Sequence, residues 1–179
     1  MTEKQRTSRN NKLRGKSAER ALAKLMNEKG IPVKRTALSG ALKKYVENLP
    51  GTSDLYRGDI ILPLGKCSIR IEVKTRQSLP KYVTNFNRNG KIKSKKEQVK
   101  KIKNLCVILN LQEFISLLQE GKLPDYGIEI DSKRCKGLIH WFNQDESQIV
   151  AMKEYGQRTW YFAIKVNVLN KLSRRFKTI

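Results

Sequence analysis

The strictest pattern of apolar and polar positions in the chain is an alternation between residues 60 and 74. Ile60, Leu62 and Leu64 fall on one side of a first strand, and Cys67, Ile69, Ile71 and Val73 fall on the same side of a second; Ser68, Arg70, Glu72 and Lys74 take the opposite side. The connector Pro63-Leu64-Gly65-Lys66 holds a Gly-Lys pair suited to the two central positions of a type II′ turn. Leu64 then faces Cys67. Counting outward, Asp59 faces Glu72 as a non-hydrogen-bonded pair, with Cα atoms roughly 4.5 Å apart. A slip of one residue would bury the charged set, so the apolar side defends this register. Pro63 falls at a non-hydrogen-bonded position, where its missing N–H is harmless to the hairpin but restricts pairing on the other edge of the strand.

Helical spacing takes over elsewhere. Ala18, Ala21, Leu22, Leu25 and Met26 predict a helix over 17–29, with Ser17 as N-cap and Gly30 as the stop before Pro32. Glu19, with Leu22, Ala23 and Met26 at i+3, i+4 and i+7, stands at the border of its buried stripe. Val33 to Leu38 reads as a strand ending at Ser39-Gly40, and a loop containing Pro50-Gly51-Thr52-Ser53 leads to the hairpin. Leu105 to Leu109 reads as a strand. A helix capped at Asn110 follows through Phe114, Leu117 and Leu118 to Gly121. Lys136 to Asn143 reads as a short helix, Ile149 to Glu154 and Thr159 to Val166 as a second hairpin through Tyr155-Gly156-Gln157, and Leu169 to Phe176 as a basic terminal helix.

The chain of 179 residues is long enough for a substantial core, and no Pro/Gly/Ser-rich linker divides it. Residues 1–16 are basic with almost nothing to bury and read as a flexible arm. Residues 17–179 read as a single domain with an insertion at about 77–137, whose stretch from Lys81 to Lys103 is rich in lysine. Lys+Arg of 38 against Asp+Glu of 16 leaves a net charge of +22, a surplus that repels itself unless a polyanion is the usual neighbour. Nucleic acid is that polyanion. Cys67, Cys106 and Cys135 show no metal or disulfide spacing. No apolar run approaches the length of a membrane span, and the N-terminus does not resemble a signal peptide. The expected location is therefore cytoplasmic: nucleoid-associated, or in a host's cytoplasm if the protein is viral.

The charged side of the hairpin carries the chemistry. Carboxylates directly opposite each other weaken a sheet, so Asp59 and Glu72 call for a compensating cation. Hard oxygen ligands suit Mg²⁺, with Mn²⁺ as a substitute; Mg²⁺ commonly keeps waters and completes its shell with substrate phosphate. Lys74 lies on the same side as Glu72, roughly 7 Å further along the strand, within reach of a shared water. A dication that activates water beside a lysine is a phosphodiesterase's equipment. The competing reading makes Glu-Val-Lys a solvated strand face on a non-catalytic nucleic-acid-binding protein. His140, the single histidine, is expected to be a packed residue beside Trp141 and Phe142.

Glu19, Arg35 through Ser39-Gly40, Asp59 and Glu72-Val73-Lys74, in that order, resemble the PD-(D/E)XK nuclease superfamily, and within it the archaeal-type Holliday junction resolvases, over about residues 14–76. Gly58 stands where the superfamily's name has proline. The resemblance implies an α/β, restriction-endonuclease-like core with a central mixed β-sheet flanked by helices. It also implies a homodimer and Mg²⁺-dependent cleavage of branched DNA. On it, Asp59 and Glu72 bind metal, Glu19 completes the site, Lys74 assists the water and Ser39 contacts the active-site phosphate. Arg14, Lys16, Arg35, Arg76, Lys93, Lys95 and Lys96 are the expected DNA contacts. The same core could instead serve duplex, flap or single-stranded DNA.

Overall fold

The computed structural model describes residues 3–36, 59–64, 67–84, 105–122, 128–129, 135–144 and 148–174. Its elements are α1 (Glu3–Glu28), β1 (Lys34–Arg35), β2 (Ile60–Leu64), β3 (Cys67–Arg76), α2 (Lys81–Thr84), β4 (Leu105–Asn110), α3 (Leu111–Glu120), β5 (Ile128–Glu129), α4 (Lys136–Gln144), β6 (Ile149–Glu154), β7 (Tyr161–Lys165) and α5 (Val166–Arg174). One seven-stranded sheet runs in the order β1-β2-β3-β6-β7-β4-β5. It is mixed: β3 and β6 are parallel and every other neighbouring pair is antiparallel. This is the mixed-sheet α/β core that the resemblance implies.

Period-two alternation splits the sheet's side chains between two cores. Ile71, Val73, Val107, Leu109, Ile149, Ala151, Phe162 and Ile164 join α1, α3 and α5 through Leu22, Met26, Phe114, Leu117, Val168 and Leu172. Cys106, Ile108, Val150, Met152 and Ala163 join α2 and α4 through Val83, Leu138 and Phe142. Central strands buried on both faces read as unbroken apolar runs, as Leu105-Cys106-Val107-Ile108-Leu109 does.

β2 and β3 pair in the predicted register from Leu64 opposite Cys67 to Ile60 opposite Ile71, but the ladder ends there and does not include the expected Asp59–Glu72 pair. The two turn residues lie outside the described set. On its other edge β2 meets β1 only at Ile60 and Ile61, and the pairing ends before Pro63 would face it, in keeping with that residue's missing donor.

Several expectations change. Residues 3–16 are helical and continuous with the packed half of α1, where an irregular arm was expected. Residues 3–14 contain neither Gly nor Pro, and their straight-chain charged residues lose little rotamer freedom in a helix, so a helix nucleated by packing downstream extends through them. Ser17 is accordingly interior rather than an N-cap. The strand expected over 33–38 is described only as Lys34–Arg35. Within the supposed insertion, β4 is an internal strand paired with both β7 and β5, and α3 packs on the core through Phe114 and Leu117; residues 105–120 therefore belong to the fold itself. The terminal helix begins at Val166, directly after β7. His140, expected to be packed, is exposed on α4 beside the buried Trp141.

Helix ends follow local chemistry. Asn110 caps α3 by accepting the Glu113 N–H while Glu113 accepts the Asn110 N–H, a reciprocal capping box. Gly121 ends the helix in the left-handed region at φ 66°. At the end of α1, Gly30 (φ 75°) donates to Asn27 and Ile31 donates to Met26, a Schellman closure. The Asn27 amide then grips Val33 through both its N–H and its C=O, which aims the chain into β1 and so places Arg35.

Candidate active site

Among the described residues three polar or charged side chains are buried: Glu19, Thr36 and Glu72. Carboxylates are almost never fully buried without a compensating partner. Glu19 of α1 is tied to Arg35 of β1, Thr36 is tied to Asp59, and Asp59 is tied to Val73, the neighbour of Glu72 on β3.

Asp59 stands one residue ahead of the β2 ladder. Its N–H donates to the Ile71 carbonyl at 3.1 Å, although Ile71 already faces Ile60. Asp59 and Ile60 thus share one partner, the arrangement of a β-bulge, which re-aims a side chain. The Asp59 carboxylate turns onto β3, where Oδ2 accepts the Val73 N–H at 2.8 Å. Its backbone is held from the other side by Thr36, whose N–H and hydroxyl both donate to the Asp59 carbonyl, at 3.1 and 3.2 Å. The sequence reading missed Thr36. The available signal was a β-branched hydroxyl residue directly after the strand that carries Arg35.

Glu72 and Lys74 share a face of β3, and the β3–β6 register sets them against Val150 and Met152 of the α4-side core. Glu72 is 4 % exposed. Lys74 Nζ donates directly to Glu72 Oε1 in an ion pair, closer than the water-bridged separation expected from strand spacing. The flexible four-carbon stem of lysine closes that gap.

Glu19 reaches the same region from α1. Its carboxylate Oε2 accepts from Arg35 Nε at 3.3 Å. Burial pushes the Glu19 carboxyl above its ordinary value; Arg35 opposes this by charge and hydrogen bond, and the negative charge of Glu72 adds to the upward shift. Glu19 thus feels the charge of Glu72, which is ion-paired to Lys74, and Val73 between those two residues holds the carboxylate of Asp59. Arg35, expected among the DNA contacts, is engaged with Glu19 and partly exposed. Lys16 is partly exposed one turn before Glu19, and its charge also acts on that carboxyl. Arg14 and Arg76 are exposed. Ser39, Lys93, Lys95 and Lys96 lie outside the described residues.

No group of three or more His, Cys, Asp or Glu side chains among the described residues is disposed to hold an ion. The donor set is instead a carboxylate fixed on the backbone, a buried carboxylate beside an ammonium, and a third carboxylate beside a guanidinium. Carboxylate oxygens are donors of the kind that suits Mg²⁺, which is commonly bound by one or two carboxylates plus waters and substrate phosphate rather than by an all-protein cage.

The family described as "Phage putative PDDEXK endonuclease" matches residues 10–105, more than half of the 179-residue chain. The chain belongs to this PDDEXK endonuclease family. The match spans Glu19, Arg35, Asp59, Glu72 and Lys74. Searches among curated proteins and solved structures find no match. No described helix of this PDDEXK protein is long and apolar enough to cross a membrane.

Proposed function

We propose that this PDDEXK-family protein is a metal-dependent endodeoxyribonuclease that hydrolyses phosphodiester bonds, with four-way junctions as its substrate and a homodimer as its working form. The observation that carries the hydrolase reading is the buried Glu72, ion-paired to Lys74 and flanked by the backbone-anchored carboxylate of Asp59. The order Glu19, Arg35, Asp59, Glu72-Val73-Lys74 supports the junction-resolvase reading, and a two-fold substrate suits a two-fold enzyme.

Asp59 and Glu72 are the residues to hold Mg²⁺ or Mn²⁺, with Glu19 adjoining. A dication bound there lowers the pKa of a water and offsets charge developing on the phosphate. The protein's own contribution is positional. The Val73 N–H fixes Asp59 Oδ2, so the carboxylate does not have to be ordered when substrate arrives. Lys74 holds Glu72 through Oε1 and places an ammonium beside the carboxylates, where it can orient a nucleophilic water and offset negative charge in the transition state. Arg35 holds Glu19. With a net charge of +22, the whole chain draws DNA in through a salt-sensitive, sequence-independent attraction.

The test is a metal-titrated cleavage assay on matched four-way junction, flap, linear duplex and single-stranded DNAs at one ionic strength. Cleavage with Mg²⁺ or Mn²⁺, fastest on the junction, is the expected result. Equal rates on junction and duplex remove the junction reading and leave a general nuclease. Binding with no cleavage on any DNA under any metal removes the enzyme.

A further inference from the structure

The face of β3 that carries Glu72 and Lys74 continues to Arg76, because alternate residues of a strand share a side. Arg76 lies roughly 7 Å beyond Lys74 along the strand. Its guanidinium sits over the indole of Trp141, 5.2 Å from the ring centroid, and Trp141 is itself buried in the core under α4. At the same end of β3, Arg14 of α1 sits over the ring of Tyr155, 5.3 Å from its centroid. The Tyr155 N–H donates to the Arg76 carbonyl at 2.8 Å, which ties the two stacks together.

Both arginines are exposed, and neither takes part in an ion pair among the described residues. The nearest carboxylate in the ladder, Glu154 opposite Arg76, accepts the Leu79 N–H at 2.7 Å. Arg35, by contrast, is bound to Glu19. Two guanidiniums seated on aromatic rings, neither ion-paired among the described residues and one of them, Arg76, in line with Glu72 and Lys74 on β3, are arranged for an anion that comes from outside. Stacking fixes the plane of a guanidinium while leaving its N–H edge for oxygen ligands, and planar, forked recognition of phosphate is what arginine does better than lysine.

We propose that the end of β3 is a ledge for the phosphodiester backbone: Arg76 on Trp141 and Arg14 on Tyr155 bind phosphates flanking the scissile one, and the two rings position them. The proposal rests on the nuclease reading for the scissile phosphate. It adds Trp141 and Tyr155 as positioning residues, a role that their spacing in the sequence does not reveal.

The experiment uses the full chain, labelled duplex and four-way junction DNA, and Ca²⁺ in place of Mg²⁺, with fluorescence anisotropy followed over a salt series. Arg76→Gln and Arg14→Gln are each expected to flatten the dependence of log K on log salt by about 0.9, the share of one released phosphate contact. Each should also weaken binding about tenfold at low salt. Arg76→Lys and Tyr155→Leu, which keep the charge, are expected to leave that slope in place, to weaken binding several-fold, and in Mg²⁺ to raise KM with kcat nearly unchanged. Unaltered slopes in both Arg→Gln variants overturn the ledge. Wild-type affinity and KM in Tyr155→Leu overturn the positioning role of that ring. Because binding is read without turnover, a chain that never cleaves DNA refutes the nuclease while leaving the salt slopes to decide the ledge separately.

Discussion

The carboxylate of Asp59 accepts the backbone N–H of Val73, the residue between Glu72 and Lys74. One hydrogen bond thus pins the first acidic residue of the site to the strand that carries the second and the lysine. The bulge at Asp59 makes this possible, since its N–H shares the Ile71 carbonyl and frees its side chain to reach along β3.

That geometry separates structure from chemistry at Asp59. An asparagine retains an oxygen that can accept the Val73 N–H, whereas an alanine does not. Asp59→Asn is expected to unfold within about 1 kcal/mol of the wild type, and Asp59→Ala to lose about 1–3 kcal/mol, the range for a hydrogen bond to a charged group. Both should lose Mg²⁺-dependent cleavage by at least about a hundredfold, with DNA binding retained. Denaturant melts alongside single-turnover cleavage distinguish the two effects; full activity in Asp59→Asn sinks the metal-ligand role.

The hairpin register was legible because three local signals agree: the alternation of Ile69, Ile71 and Val73, the Gly-Lys turn, and Pro63 on a sparsely paired edge. Asn110 and Gly121 were legible for the same reason, each being a cap with a mechanism of its own. What the sequence did not disclose is non-local. Arg35 and Glu19 are sixteen residues apart and meet only because α1 lies across β1. Thr36 supports Asp59 across a chain separation of 23 residues. The internal place of β4 depends on the order of strands in the sheet, which apolar content alone does not specify. The helical stretch 3–14 has no apolar stripe to announce it, and draws its order from the packed turns that follow.

The Arg35–Glu19 pair joins a largely buried carboxylate to a partly exposed guanidinium. Removing the cation strands the carboxylate, whereas removing both charges does not. Arg35→Met is therefore expected to lose about 1–3 kcal/mol, and the Arg35→Met/Glu19→Gln double variant to lose less than the sum of its single changes by about 0.5–3 kcal/mol. A double-mutant cycle by urea denaturation measures this coupling. Strict additivity shows that the pair is incidental to the fold.

The two ends of α3 offer a test away from the site. Asn110→Ala removes the side-chain acceptor for the Glu113 N–H and should lower stability by about 1 kcal/mol. Gly121→Ala places a Cβ at φ 66° and should lower it by about 1–2 kcal/mol. α3 anchors the core through Phe114, stacked on Phe162 with centroids 4.1 Å apart, so losses should appear in the global unfolding transition rather than as local fraying. Cleavage rates below the melting range should not change. Wild-type stability in both variants contradicts the cap assignment.

Cys106 faces the α4-side core, fully buried with Cys135 nearby; burial, reinforced by that second thiol, pushes its pKa up to about 12 from 9.0. A thiol whose folded value is raised binds its proton more tightly in the native state, so its contribution to stability is complete below pH 9 and is lost as pH rises towards 12. Two outcomes follow. Native protein at pH 8 should resist thiol reagents at Cys106, while protein unfolded in guanidinium reacts at once, because the thiolate is the nucleophile. Between pH 9 and 12, wild type should lose stability more steeply than Cys106→Ala, which lacks the titrating group, even though the alanine variant starts lower for want of packing. Parallel stability–pH curves for the two proteins across that interval, measured by urea denaturation, would show that Cys106 ionises no differently in the folded chain than in the unfolded one.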